Sequence, residues 1–445
     1  MTPSNPPTGM RTFTIIWAGQ IVSMLGSAMT WFAFTIWAWQ KTGQASALAT
    51  ISFFVFLPTA LFTPVAGALI DRWNRKLVMM LSDLATALGT LVALILFVSG
   101  RLEIWHVYGI GILMGFFTAF QYPAYSAAVS TILPKEHYAR AEAMLGLAYA
   151  VSSFFAPIAA AALLGMIGMP GIMIIDLITF LAAFGTLLWA HIPQPPMSDQ
   201  GRQSRGKLWQ EALFGFRYIR ERSSLSALII LFSLAYFFIA IGAALLAPLV
   251  LSHTGNSTST LALVQSVGAL GGIIGGGLLT VWGGPKRRIW GVLFSGIGVC
   301  ILGIISLGLA TTVIFWAIGS FFFSFFEPFI EGGHLAIWQS KVEADVQGRV
   351  FSARQLLTQI PYLLGTLASG FLAEYVVQPI TQSQPALQAF FGKNSGAGIS
   401  MLVILAGLGG AVVFLVGCRI PAIRDVETSL PDRNPNMSEI GIVRD

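Results

Sequence analysis

The sequence predicts an all-α integral membrane protein, with twelve transmembrane helices in two pseudo-symmetric six-helix bundles. Composition is the first reason. The chain is 55% hydrophobic and only 10% charged, with a mean hydropathy of +0.76, whereas soluble proteins carry roughly 25% charged residues. Apolar runs of about 20 residues, long enough to cross a bilayer as helices, are the second. No alternating pattern suggests a barrel, so helices are the spanning form that satisfies the backbone. The third reason is an internal repeat. The stretch Gly67-Ala-Leu-Ile-Asp71-Arg72-Trp-Asn-Arg75-Lys76 lies between apolar runs, and a faint copy, Gly276 to Arg288, places Thr280 opposite Asp71, an offset of 280 − 71 = 209. Tyr138-Ala-Arg140-Ala and Gln347-Gly-Arg349-Val share that offset, 349 − 140 = 209. Duplicated membrane halves point to a carrier whose substrate site lies between them.

The spans are expected at 13–38, 46–70, 77–99, 104–132, 141–167, 170–190, 225–251, 259–282, 289–309, 312–338, 350–376 and 397–418. The first apolar run exceeds a signal-peptide core and reads as a helix that stays. The fifth is dense in small residues around Ala156 and Pro157, and the eighth carries Gly268, Gly271, Gly272, Gly275, Gly276 and Gly277. Small side chains let helices approach closely in lipid. The expected domains are 1–191, a cytoplasmic linker at 192–224, and 225–445. In the linker, Trp209, Ala212, Leu213, Phe216 and Ile219 follow helical spacing beside Arg217, Arg220 and Arg222. That pattern suits a helix on anionic headgroups, or equally one packed under the bundle. The polar tails, 1–10 and roughly 424–445, are expected to be disordered.

Orientation follows from the bases. Of 25 Lys and Arg, only Lys41, Arg101 and Lys393 fall in one set of loops; the other 22, Arg349 and Arg354 included, belong to the opposite side. The basic side is cytoplasmic by the positive-inside rule, which puts both termini inside. The net charge of +6 thus reflects topology rather than nucleic-acid binding. Cys300 and Cys418 lie in apolar spans and read as fillers. Asn256-Ser257-Thr258 matches a glycosylation sequon by chance. The five histidines, His106, His137, His191, His253 and His334, are dispersed without metal-ligand spacing. No complete Gly-x-x-x-x-Gly-Lys-Ser/Thr loop is present to bind a nucleotide phosphate: Gly201 to Lys207 has the spacing, but Leu208 stands where the hydroxyl residue belongs.

Asp71 ends the second span at the level where the eleventh begins, near Arg349. A helix N-terminus attracts a carboxylate, so Asp71 is expected to form a gating latch, with Gly67, Arg72, Arg75, Lys76 and Arg349 around it. The plain alternative is that the bases only enforce topology. Because Thr280 replaces Asp71 in the second copy, any latch is asymmetric. A carboxylate at a helix centre in hydrocarbon costs roughly 2.5–3.5 kcal/mol, so acids inside spans face a cavity or a partner. Glu327 lies near the middle of the tenth span, before Pro328, and Glu331 and His334 follow on the same helical face. The three form a candidate proton relay or a static polar network. Asp176, in the sixth span, is either a second protonation site or a structural partner. Asp83 reads as structural.

The loop from Gly67 to Lys76 resembles the signature between the second and third helices of the major facilitator superfamily, over about residues 11–420. Ile16-Trp-Ala-Gly-Gln20-Ile-Val-Ser, Phe56-Leu-Pro58, Pro123-Ala-Tyr125-Ser-Ala and Gly348-Arg349-Val-Phe-Ser352 make it similar to drug-efflux permeases of the macrolide-exporter type. The resemblance implies the major facilitator fold and proton-driven export of an amphipathic compound in the plasma (inner) membrane. It implies no cofactor beyond the proton gradient, and a monomer. Siderophore-exporting relatives share the layout, and an importer or uniporter of the same fold is the competing expectation. An intramembrane enzyme and a non-transporting sensor are remote ones. Ser152-Ser-Phe-Phe-Ala156-Pro157 departs from the Gly-rich antiporter pattern of the fifth helix, and no Arg or Lys lies within the fourth. Helices 1, 4, 7 and 10 line the cavity in this superfamily. The candidate substrate contacts are Gln20, Trp31, Tyr122, Tyr125, Tyr236 and Phe237, with Gln355 and Gln359 from the eleventh span. Aromatics and amides suit a bulky amphipath.

Overall fold

A computed structural model describes residues 9–70, 73–190, 192, 208–343, 346–392, 394 and 396–429. Helices α1 (Gly9–Thr42), α2 (Ala45–Ile70), α3 (Arg75–Val98) and α4 (Ile104–Ile132) match the first four expected spans closely. Next comes α5 (Tyr138–Trp189), a 52-residue run. At 1.5 Å per residue it would extend about 78 Å, more than twice the roughly 30 Å of hydrocarbon it has to cross. The run turns at Gly168, whose φ of 65° and ψ of −176° are non-helical, two residues before Pro170. The fifth and sixth spans are therefore both present, joined by a glycine hinge rather than a loop. Eleven helices among the described residues are long and apolar enough to cross a membrane, and α5 contains two of the twelve crossings.

The second half continues with α6 (Leu208–Arg220), α7 (Ser223–His253), α8 (Thr258–Trp282) and α9 (Arg288–Leu309), which contains a π-helical stretch at Val299–Ile305. The tenth span is two helices, α10 (Val313–Phe325) and α11 (Glu327–Lys341). The break falls at Phe326 (φ −83°, ψ −15°). Pro328 has no N–H to donate back to the Ser324 carbonyl, which interrupts the helical ladder there. Then follow α12 (Gln347–Phe371), a π turn at Leu372–Val377, α13 (Gln378–Ser383), α14 (Pro385–Phe391), α15 (Gly396–Arg419), α16 (Pro421–Arg424) and α17 (Val426–Ser429).

The chain divides into two compact units. One holds the described residues of Met1–Arg205 together with Val250–Ser266; the other holds those of Gly206–Leu249 and Val267–Asp445. The first unit packs around Phe13, Ile16, Ile70, Met79, Phe120 and Ile132. Buried Phe232, Leu293, Ile337, Trp338 and Phe414 mark the core of the second. Helix α6 belongs to the second unit, where Tyr218 and Ile219 are buried and the Tyr218 hydroxyl donates to Glu343. A Cβ on Gly215 would meet the Arg349 carbonyl oxygen at 2.3 Å, and the Arg349 guanidinium lies 5.1 Å from the Phe214 ring centroid. These contacts pack α6 on α12 within the second unit.

Basic side chains at the helix starts staple each unit. Asn74 caps α3 by accepting from the Leu77 N–H at 3.1 Å. Arg75 donates to the Ala127 carbonyl of α4 at 2.6 Å. In the second unit Arg288 donates to the Ala336 carbonyl of α11 at 3.3 Å. The two acceptors stand 336 − 127 = 209 residues apart, the offset of the sequence repeat. Lys76 donates to the Leu188 and Ala190 carbonyls at 2.9 and 2.8 Å, the end of α5 where orphan carbonyls and the negative pole of the helix dipole gather. Replacing Lys76 with Met is therefore expected to cost about 2 kcal/mol, read as a lowered unfolding midpoint in detergent. An unchanged midpoint would show that these bonds are idle. Arg75 and Lys76 thus bind carbonyls inside their own unit. Gly67 lies in the last turn of α2, while Asp71 and Arg72 lie outside the described residues.

Candidate functional site

In the first unit α1, α3, α4 and the second half of α5 bring polar side chains into an apolar interior. Asp83, on α3, is buried, and both its oxygens are used: Oδ2 accepts from Gln20 Nε2 at 2.9 Å and Oδ1 from Gln121 Nε2 at 2.6 Å. Asp176 is buried as well. Its Oδ1 accepts from Ser27 at 2.9 Å and its Oδ2 from Thr90 at 3.0 Å. Gln20, Ser27, Trp31, Asp83, Gln121 and Asp176 all line one cavity of about 160 Å³. Two of the expected contacts, Gln20 and Trp31, therefore do share a cavity, and Gln20 also holds a carboxylate. Tyr122 is exposed, whereas Tyr125 is packed in the core against Phe13 at a centroid separation of 6.3 Å. Ala156 and Pro157 are buried in α5, and the nearby Phe154 carbonyl accepts from Ser266 at 2.7 Å.

In the second unit the break at Phe326 puts Glu327 in the first turn of α11. Glu331 and His334 continue along one face, as their spacing predicts. The Tyr236 hydroxyl on α7 donates to Glu331 Oε1. His334, 2% exposed, stacks on Phe232 at 3.6 Å with 12° between the planes, and its other neighbour is Trp338, edge-on at 6.1 Å. Glu327 and Glu331 are both exposed. Glu327 interacts electrostatically with Glu331 and with Tyr362 of α12. On α12, Gln355 is half-buried and Gln359 exposed, and Phe237 is half-buried on α7.

The sequence reading missed the partners. Arg354, assigned to the cytoplasmic bases, lies seven residues past the first residue of α12 and approaches the site, its Nη1 3.5 Å from His334 Nδ1. Its signal was available: Arg354, Thr358 and Tyr362 recur every four residues and so share one face of α12. Gln121, Ser27 and Thr90 gave no comparable signal, since short polar residues in spans are common and their pairing depends on helix rotation.

Helices that are apolar enough to span lipid, two compact units repeated in sequence, and carboxylates presented inside the spans define a membrane carrier. Residues 16–366 match the family model described as Major Facilitator Superfamily. The chain belongs to that superfamily of secondary transporters, and it is not an enzyme. It is 28% identical over 370 residues to macrolide efflux protein A of Streptococcus pyogenes, covering 82% of this chain and 90% of that protein. It is also 24% identical over 371 residues to the uncharacterized MFS-type transporter YfiS of Bacillus subtilis (strain 168), covering 81% and 86%. Among solved structures, a bacterial homologue of the iron transporter ferroportin in an inward-facing state matches with a TM-score of 0.64 at 16% identity, covering 92% of this chain and 98% of that one. A POT family transporter in complex with 5-aminolevulinic acid matches with a TM-score of 0.68 at 11% identity, covering 92% and 97%. Both structural matches support the fold alone.

Proposed function

We propose that this chain is a proton-driven exporter of amphipathic small molecules of the macrolide type, working by alternating access as a monomer in the plasma membrane with both termini cytoplasmic. The geometry that carries the coupling half of this reading is the α11 face: two exposed carboxylates one turn apart, one of them accepting from a tyrosine of another helix. Carboxylates in such a place exchange protons with water at little structural cost, because no ion pair has to be broken first. The direction of transport and the substrate class are drawn from the similarity to macrolide efflux protein A across most of both chains. Asp176, whose two oxygens accept hydroxyl donors inside the first unit, is proposed as a second protonation site. Asp71 is proposed as a gate.

Energised cells expressing the full chain and loaded with a macrolide or with ethidium test this. Export is expected to exceed that of cells without the protein, and to collapse when a protonophore dissipates the gradient. Export unaffected by the protonophore would remove the proton from the mechanism. Efflux of the macrolide and of the dye no faster than from empty cells would remove the exporter reading itself.

A further inference from the structure

The chain continues past the last span as α16 and α17, and this tail is built into the second unit. Ile423 and Val426 are buried, and α17 closes on itself, the Ser429 N–H donating to the Asp425 carbonyl at 2.8 Å. The Ser429 hydroxyl lies 3.3 Å from that of Ser224, at the start of α7. Glu427 sits in the same turn. Its Oε1 accepts from the Arg288 N–H at 3.2 Å and its Oε2 from the Ile289 N–H at 3.1 Å. These are the first two amides of α9, which a helix cannot satisfy internally, and the positive end of its dipole favours a carboxylate there. The Glu427 carbonyl in turn accepts from Lys341 Nζ at 2.5 Å. Lys341 is buried and is the last residue of α11. Arg288 completes the circuit through its side chain, which donates to the Ala336 carbonyl of α11. Tail, α9 and α11 are thus tied into one ring of bonds.

The first unit caps its helix locally. There Asn74 stands just before α3 and caps it, and Arg75, the first residue of α3, bonds a carbonyl of α4. Arg288 is likewise the first residue of α9 and bonds a carbonyl of α11. The residue before it, however, is Arg287, whose guanidinium has donors only and forms no cap. The acceptor that Asn74 supplies locally in the first unit is absent at Arg287, and Glu427 brings one from 427 − 287 = 140 residues away. Arg287 also lies within electrostatic reach of Asp425, two residues before Glu427, which favours the docked tail. We infer that residues 423–429 form a clasp: they cap α9 in place of a local residue and bind it to α11, so that the two helices move as one piece while the tail is docked. Releasing the tail opens the first turn of α9 and frees the end of α11 opposite Glu327. The clasp is independent of what the chain carries.

Hydrogen–deuterium exchange in the full chain tests this without any substrate. Glu427→Ala is expected to speed exchange in the first turn of α9 at least about fivefold, and to leave the first turn of α3, capped by Asn74, unchanged. Adding Arg287→Asn, which restores the local arrangement of the first unit, is expected to slow the α9 amides again. Lys341→Met is expected to speed them as well, because the tail that carries Glu427 loses its hold on α11. Unchanged α9 exchange in Glu427→Ala overturns the cap, and so does equal acceleration in α3, which would mean a general loosening. Exchange that Arg287→Asn does not slow overturns the substitution of a distant cap for a local one. Unchanged α9 exchange in Lys341→Met overturns the link to α11. If Glu427→Ala does not accumulate as folded protein, Glu427→Ala/Arg287→Asn is expected to recover it, and a double variant no better than the single overturns the clasp.

Discussion

Glu327→Gln is expected to abolish proton-driven export, lowering it at least about tenfold at unchanged protein level. The substitution keeps size and hydrogen-bonding shape and removes only the titrating proton. Three features single out this position. Glu327 opens α11, at the positive end of that helix's dipole, where negative charge is favoured. It stands one turn from Glu331 and interacts with it electrostatically. It also has accessible surface, which opens it to water directly. Asp83 supplies the contrast: it is buried, with both oxygens taken by amide donors. The measurement is efflux of a loaded macrolide under an imposed pH gradient, beside substrate exchange without a gradient. Loss of driven efflux with retained exchange is the expected pair of results. Normal driven efflux in Glu327→Gln would dismiss this carboxylate from the coupling path.

Much of the fold was legible because the bilayer simplifies the problem. Hydropathy located the eleven membrane-length helices found among the described residues, and read the longest of them as two spans. The carbonyls that accept from Arg75 and Arg288, those of Ala127 and Ala336, stand 209 residues apart like the sequence landmarks, although the arginines themselves stand 288 − 75 = 213 apart. Hydropathy averages over turns, so it passed through Gly168 and Phe326 without registering that one joins two spans and the other divides one. Pro170 and Pro328 were the local signals for both. The acids of the site were legible for an energetic reason, since a carboxylate in hydrocarbon demands an explanation. Their partners were less so. Which of many serines, threonines and glutamines meets Asp83 or Asp176 depends on helix rotation and crossing, which periodicity in one strongly apolar helix does not set. Arg354 is a different case. Near the start of a span an arginine satisfies the positive-inside rule whether it points to the loop or into the bundle, so a topological count cannot separate the two.

The glycines of α8 lead to the second large effect. A Cβ on Gly271 would lie 2.2 Å from the Phe321 carbonyl oxygen, and one on Gly275 would lie 2.1 Å from that of Phe325. Both distances are far inside van der Waals contact, and the obstacle is backbone rather than a side chain that could swing away. Helix α8 therefore lies directly on α10, immediately before the break that sets Glu327 in place. Gly277, two residues on, would meet nothing within 4 Å. Alanine is the better helix former by about 0.5–1 kcal/mol, so that preference alone would make every Gly→Ala change in α8 stabilising. Overpacking opposes it by roughly 1–3 kcal/mol, sometimes more, and at Gly275 the opposing term wins. Gly275→Ala is thus expected to lower the unfolding midpoint in detergent and Gly275→Leu to prevent accumulation of folded protein, while Gly277→Ala leaves the midpoint unchanged or slightly raised. Because α10 ends at Phe325, whatever movement accommodates a methyl at Gly275 is passed to the first turn of α11. Gly275→Ala should accordingly impair proton-driven efflux more than its loss of stability explains. If Gly275→Ala and Gly277→Ala unfold at the same temperature, close contact between α8 and α10 is not what those glycines provide.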